Sequence, residues 1–451
     1  MPTAPDRDRL TSLLRSEQER FVRDHPRSRE LADRAAGSLL AGVPMPWMTR
    51  WPGAFPVFVE SAEGAGFVDV DGHTYVDLCL GDTGAMTGHT LPAVAEALTA
   101  QARRGLTTML PSEDAAWVGE ELTRRFGLPL WQLAMTATDA NRFVLRFARM
   151  ITGRPKVAVM DWCYHGTVDE TLAVLDGDRV VARPGAMGPQ VDVALTTRVV
   201  PFNDVAALDA ALAHGDVACL LMEPALTNIG IVLPDEGYLD AVREVTRRHG
   251  VLLVMDETHT LCAGPGGATR AWGLDPDLLV VGKPIGGGVP VAAYGMSADV
   301  GARVDPYLRG HEADVGGVGG TLTGSALALA ATRATLSHAL REEDFAVAVP
   351  LAERFAAGVA GVIEEAGLPW HVQRLGCRAE YWFCPPPRTG ADAAAAVDDE
   401  LEELMHLWAL NRGVLLTPFH NMALFSPAHT VADVDRHTEV FAGAVEALLD
   451  R

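Results

Sequence analysis

A chain of 451 residues, 48% hydrophobic and 21% charged, is long enough to bury a large core and to divide into lobes, and its composition excludes disorder over most of its length. The formal charge of −22 excludes an extended nucleic-acid surface, which needs an excess of Lys and Arg along one face, but leaves room for a small anion held locally. Cys79, Cys163, Cys219, Cys262, Cys377 and Cys384 show no CxxC or CxxH spacing and read as reduced thiols. With no run of about 18 apolar residues and no apolar core in the polar start, the expectation is a cytoplasmic protein with neither membrane nor nucleic acid as partner.

Residues 6 to 41 read as amphipathic helices rich in Arg and acidic residues, either a solvated face or a face laid across a partner subunit. Residues 55 to 80 alternate in polarity and are punctuated by Gly64, Gly66 and Gly72, which predicts a short antiparallel meander. From Thr90 onward, helices alternate with fully apolar strands at 132–135, 156–160, 218–222, 251–255, 278–281 and 290–295. That pattern predicts a mainly parallel sheet covered on both faces. Among the helices, 139–152 carries Ala140, Phe143, Val144, Phe147, Ala148 and Ile151 on one stripe and stops at Gly153; another runs from Asp235 to Gly250. Beyond about residue 330, Ala-rich helices precede strands at 371–383 and 414–417, a smaller α+β lobe. The expected division is 1–89 (helical segment and meander), 90–330 (large domain) and 331–451 (small α+β domain).

In an open parallel sheet the ligand lies beyond the carboxyl ends of the strands, so the residues just after each strand are the candidates. They are Thr136-Ala137-Thr138 at a helix start, Asp161 to Gly166 with Tyr164 and His165, Glu223, Asp256-Glu257, and Gly282-Lys283. An Asp after a strand is often only a turn or cap residue, and a Lys there is usually solvated. Lys283 differs in lying between LLVVG and PIGGGVPVAAYG, a stretch almost without charge, where a desolvated amine suits Schiff-base chemistry. The helix start at Thr136 to Asp139 could hold a phosphate on its free N–H groups. Gly286-Gly287-Gly288 fits neither a P-loop nor a dinucleotide fingerprint. His259 and Cys262 beside Asp256 and Glu257 lack the spacing of a metal site, and no metal is expected.

Taken in order, these motifs resemble the class III aminotransferases, within them the branch that includes glutamate-1-semialdehyde aminomutase, over roughly residues 45 to 440. The carriers are Thr136-Ala137-Thr138-Asp139-Ala140, Tyr164-His165-Gly166, Glu223-Pro224, Asp256-Glu257-Thr258, Gly282-Lys283-Pro284-Ile285-Gly286-Gly287-Gly288 and Gly320-Thr321-Leu322-Thr323-Gly324-Ser325. The resemblance implies an α/β protein of the pyridoxal 5′-phosphate (PLP) fold type I. Its large domain would have a mainly parallel sheet, and its smaller α+β domain would be built from the C-terminal part and the N-terminal segment. It implies that Lys283 holds PLP as a Schiff base and shuttles a proton, that Asp256 pairs with the pyridine nitrogen, and that Tyr164 stacks on one ring face with Thr258 against the other. By the same resemblance Ala137 and Thr138 bind the phosphate, Thr321 reaches it from the neighbouring subunit of an obligate homodimer, and His165 and Glu223 line the cofactor. Departures are Ala137, Asp139 and Thr258, and the stretch Thr260 to Gly267, which replaces the family's T-G-F-G-R.

The leading expectation is an aminotransferase acting between an amino acid or amine and a keto acid, both small molecules. A substrate carboxylate calls for a bidentate arginine, for which Arg50 and Arg378 are the candidates and Arg412 a third. The alternatives are an intramolecular aminomutase or an amino-acid racemase or epimerase on the same cofactor, and a non-catalytic PLP-fold binding protein. The intact set Lys283, Asp256 and Tyr164 argues against the last.

Overall fold

The computed structural model describes residues 6–188, 191–310 and 314–450. The chain divides into two compact units. One contains residues 92–342 and the returning segment Pro387–Ala395; the other joins 6–91, Glu343–Pro386 and 396–450.

The large unit is built on a seven-stranded sheet in the order Leu130–Ala134, Ala292–Met296, Leu278–Val281, Leu252–Asp256, Val217–Met222, Lys156–Met160, Thr197–Val200. Ala292–Met296 alone runs antiparallel to its neighbours. The four strands Lys156–Met160, Val217–Met222, Leu252–Asp256 and Leu278–Val281 are buried almost throughout, as sheet strands covered on both faces must be. Their uninterrupted apolar runs are what made them legible. Thr197–Val200 was not anticipated: it is only four residues long and includes Arg198, whose guanidinium pairs with Asp216 at 2.7 Å.

Helix Ala137–Thr152 starts on the Thr136 side chain, which accepts the Asp139 N–H, and stops at left-handed Gly153. Its apolar stripe lies against the sheet, with Phe143 and Phe147 beside Tyr294. The helix expected from Asp235 begins instead at Tyr238, after Gly237 in the left-handed region. Helix Ala326–His338 packs on Pro92–Ala102 and Asp114–Phe126. This moves the domain boundary from 330 to 342, because the Ala-rich face buries against helices of the large unit. Pro387–Ala395 returns to that unit as well: Arg388 pairs with Asp235 and donates to the Asn203 carbonyl.

The second unit unites the two chain ends, as the resemblance implied for the smaller domain. Helix Arg7–Asp24 packs along Asp399–Leu410 and Val431–Leu449, with Leu10, Leu14 and Phe21 buried. The meander is present as Val59–Glu63, Gly66–Asp69 and Thr74–Asp77, and Val414–Leu415 adds to it in parallel. The stretch 371–383 is a hairpin of His371–Leu375 and Arg378–Trp382, extended by Met422–Leu424. Helix Glu342–Ala366 is long and apolar enough by composition to cross a membrane, with mean hydropathy 1.6. It spends that apolarity on burying Phe345, Leu351, Phe355, Val359 and Ile363. None of the six cysteines is in a disulfide, and five of them are buried.

Candidate active site

Parallel pairing aligns the strand ends of the large unit, and the residues that follow them gather at one edge of the sheet. Asp256 is the last residue of its strand and stands opposite Val280 of the next. It is 3% exposed and surrounded by donors. Oδ2 receives Asn141 Nδ2 at 2.9 Å and lies 2.9 Å from His165 Nδ1. Oδ1 receives the Thr258 N–H at 3.0 Å and the Thr258 hydroxyl at 2.6 Å. Burial alone would raise this carboxyl, but His165, Thr258 and Asn141 override it and hold the group down at about 2. His165 moves the other way: against its own burial, the Cys163 sulfur and the Asp256 carboxylate push it upward. The result is a carboxylate kept charged in a dry interior.

Lys283 follows its strand in a short 3-10 turn, with φ 47. A lysine in the left-handed region is uncommon, and such strain gathers at functional sites. Its Nζ lies 2.8 Å from His259 Nε2. The preceding Gly282 passes so close to the helix start that a Cβ there would lie 3.1 Å from the Ala137 Cβ. The lysine and the N-terminus of helix Ala137–Thr152 are therefore neighbours.

Ala137 is the first residue of that helix and is not among the positive-φ residues, so a Cβ there costs no backbone strain. The first N–H groups of the helix, Ala137 and Thr138, have no intrahelical partner by construction. Gly166, at φ +79, approaches Thr138 so closely that a Cβ would meet its Oγ1 at 2.1 Å, and Thr167 N donates to that oxygen at 3.1 Å. This clamp fixes the turn after Tyr164 against the helix start. Tyr164 itself is 36% exposed, as a ring meant to cover a ligand would be.

Glu223 is buried and accepts the Thr227 hydroxyl. Glu257 does not join the group: it turns away to receive Ala268 N at 3.0 Å, the Thr269 N–H and the Thr260 hydroxyl. Burial raises its proton affinity despite those bonds. It is a cap for the short helix Gly267–Ala271 rather than a second site carboxylate. Thr321 is exposed between Val315–Val318 and Ala326–His338.

The arginine candidates lie in the other unit. Arg50 ends the 3-10 turn Pro46–Arg50 and is exposed. Arg378 is fully buried and pairs with Glu380 at 3.3 Å, whose carboxylate is 3.3 Å from His420. Arg412 pairs with Glu17 at 2.9 Å and lies over the Trp408 ring.

Two residues were missed in the sequence. Asn141 sits in helix Ala137–Thr152 facing Asp256, and its only sequence signal is a polar residue one place from the apolar stripe. His259 was weighed only as a metal ligand. Among the described residues, the His/Cys/Asp/Glu group close enough for a metal is instead His25, Asp69 and His73. There the Asp69 carboxylate accepts the Tyr75 hydroxyl at 2.9 Å and the His73 backbone N–H at 2.8 Å, a hydrogen-bonded cluster.

A buried anionic carboxylate, an amine on a strained turn and an anion-ready helix start fit the three polar ends of PLP: ring nitrogen, aldehyde and phosphate. Fold and site define a PLP-dependent enzyme of fold type I. The sequence matches the model of the aminotransferase class-III family over residues 47–445, and the chain belongs to that family. A glutamate-1-semialdehyde 2,1-aminomutase of Sorangium cellulosum is 36% identical over 423 residues, 91% of this chain and 94% of the relative. A solved glutamate-1-semialdehyde-aminomutase from Pseudomonas aeruginosa PAO1 is 49% identical, with TM-score 0.97 over 99% of this chain and 100% of that one. A lysine-to-alanine variant of it, in complex with PMP, is 48% identical with the same TM-score of 0.97 and the same 99% and 100% coverage. An omega-transaminase from Sphaerobacter thermophilus follows at 28% identity and TM-score 0.86, covering 94% and 98%. The cofactor is pyridoxal 5′-phosphate.

Proposed function

We propose that the protein moves an amino group between adjacent carbons of one small substrate, converting glutamate 1-semialdehyde, 4-amino-5-oxopentanoate, into its isomer 5-amino-4-oxopentanoate. The observation that carries this reading is the agreement among relatives. Eight curated proteins at 33–36% identity over 86–94% of the chain bear the name glutamate-1-semialdehyde 2,1-aminomutase. This intramolecular reading replaces transfer between an amino acid and a separate keto acid as the leading one.

PLP, when bound, supplies an electron sink for the carbanion left when a proton leaves the carbon bearing the amine. Lys283 is assigned the covalent attachment and the movement of that proton, since its amine stands beside the helix start and the Asp256 strand. Asp256, charged in a dry interior, holds the proton on the ring nitrogen. Ala137 and Thr138 take the phosphate on their N–H groups at the positive end of the helix. Tyr164 and Thr258 cover the two ring faces; the Thr258 hydroxyl is committed to Asp256, which leaves its methyl group for the ring. His165 acts through Asp256, and Glu223 orients residues around the cofactor.

Arg50 and Arg378 are the candidates for the substrate carboxylate, and the exposure of Arg50 favours it. Exposed Thr321 is assigned to the phosphate site of a second copy, which makes the working form a homodimer. Six cysteines without a disulfide among them agree with a cytoplasmic setting.

The test is incubation of the cofactor-loaded protein with glutamate 1-semialdehyde and no other amino or keto compound. Formation of the isomer in many-fold excess over enzyme supports the proposal. Turnover that requires a separate keto acid overturns it in favour of transamination. That second reading is favoured by the likeness to the omega-transaminase.

A further inference from the structure

His25, Asp69 and His73 all belong to the second unit. Asp69 ends its strand and His73 precedes the next, so the hairpin turn between them, with Gly72 at φ +89, returns the imidazole to the carboxylate. His73 Nδ1 lies 3.1 Å from Asp69 Oδ2. His25, at the junction of helices Arg7–Asp24 and Pro26–Ala35, brings Nε2 to 3.6 Å from the same oxygen. Junction and turn are also tied by a separate contact, because Asp71 accepts the N–H groups of Arg27 and Ser28 at 2.7 and 3.0 Å. One ligand atom from each of His25, Asp69 and His73 falls within 4.8 Å of the other two. Atoms bound to a tetrahedral zinc ion at about 2.1 Å stand about 3.4 Å from one another. The separations of 3.1 and 3.6 Å straddle that spacing.

A count of hydrogens leaves this cluster one cation short. His25 Nδ1 is 2.8 Å from the Phe21 carbonyl and must donate to it, so Nε2 of the neutral ring carries a lone pair. That lone pair and Asp69 Oδ2 both face the Tyr75 hydroxyl, at 2.8 and 2.9 Å. One hydroxyl hydrogen serves one of them and leaves the other bare. A cation on Nε2 closes the count, since the hydroxyl then donates to Oδ2. All four lone pairs of the carboxylate are then used: the ion and Tyr75 on Oδ2, and the N–H groups of Asp71 and His73 on Oδ1 at 2.9 and 2.8 Å. The bond from Nδ1 to the Phe21 carbonyl is the outer support that orients a metal-bound imidazole. We propose that His25 Nε2, Asp69 Oδ2 and His73 Nδ1 bind a divalent cation of the zinc type. Water takes the fourth position, because the His73 side chain is 42% exposed whereas those of His25 and Asp69 are buried. Two imidazoles and one carboxylate select zinc over calcium or magnesium, which take oxygen ligands. The ion would fasten the N-terminal helices to the meander. This departs from the sequence-based expectation of no metal, which rests on His259 and the cysteines, and it is independent of the amino-group chemistry.

Co²⁺ is the probe, since a tetrahedral Co²⁺ site absorbs in the visible while Zn²⁺, with a filled d shell, is silent. Holoenzyme would be dialysed against a chelator, freed of it, and titrated first with Co²⁺ and then with Zn²⁺. One equivalent of Co²⁺ per chain should bind with tetrahedral d–d bands that Zn²⁺ abolishes. Zn²⁺ should also raise the melting temperature, because the ion binds the folded chain. His73→Ala removes one ligand at an exposed ring and should weaken uptake by about 100-fold or more and abolish the Zn²⁺-dependent rise. Its melting temperature without metal and its PLP absorbance check that it folds; if it does not, His73→Gln takes its place. Wild type that takes up no Co²⁺ in this form overturns the proposal and leaves a second proton on His25 to close the count. Uptake undiminished in the variant places the ion elsewhere and overturns it as well.

Discussion

Asp256 and His165 stand 91 positions apart in the sequence and meet with Oδ2 and Nδ1 2.9 Å apart. Both side chains are buried, so the contact is made in a medium where an unpaired charge is costly. The charge on Asp256 is maintained by this neighbour together with Asn141 and Thr258. Asp256→Asn keeps the shape and removes the charge. It should bind PLP with its absorbance band visible, yet lose about 100-fold or more in turnover, the scale of one preorganised electrostatic group. Steady-state kinetics beside the spectrum would separate the two, and unchanged turnover would remove Asp256 from the mechanism.

Gly166 and Thr138 supply a test of the phosphate cradle. A Cβ on Gly166 would lie 2.1 Å from Thr138 Oγ1, and φ there is +79. Gly166→Ala should therefore lower stability by about 1–3 kcal/mol and push the helix start outward. The expected sign is a lower melting temperature together with weaker PLP binding by titration. A variant that melts lower yet holds PLP as tightly would place the phosphate elsewhere.

Buried His437 lies between Phe355, 4.5 Å away between ring centroids, and Phe441 at 6.0 Å. Its Nδ1 has no partner among the described residues, and burial pushes its pKa down to about 3. A histidine depressed in the folded state takes up its proton on unfolding. It therefore subtracts stability as pH falls below the unfolded value of 6.5 towards 3. At pH 5 the loss is about 2 kcal/mol relative to pH 7. His437→Leu should flatten the fall in urea midpoint between pH 7 and pH 5. An equally steep fall in the variant would assign the slope to other groups, such as buried His406, lowered to about 4 by the same cause.

Arg50 and Arg378 should respond to substitution in opposite ways. Arg378 is fully buried against Glu380, and Arg378→Ala leaves a buried carboxylate short of a cation, a loss of about 3–5 kcal/mol. Arg50→Ala, at an exposed turn, should leave the melting temperature within about a degree and raise the substrate KM by about tenfold if Arg50 grips the carboxylate. Thermal unfolding and kinetics on both variants tell a binding arginine from one that holds its unit together.

The sequence by itself determined the strands of the large unit and the chemistry at their ends. Strands buried on both faces must be uninterrupted apolar runs, and in a parallel sheet the residue after each run arrives at the same edge. That is why Lys283, Asp256, Tyr164 and the Thr136 turn were legible without coordinates. Only the tertiary structure decided which side chains surround Asp256 and where Glu257 goes. Glu257 differs from Asp256 by one position, yet alternation sends it to cap another helix. Asn141 and His259 reach their partners through contacts 115 and 24 residues apart in sequence, and no local pattern records such contacts. The union of both chain ends in one unit was implied by the resemblance, but the contact that makes it is tertiary: helix Arg7–Asp24 finds its apolar partner in Asp399–Leu410, and burial of apolar surface is indifferent to sequence separation.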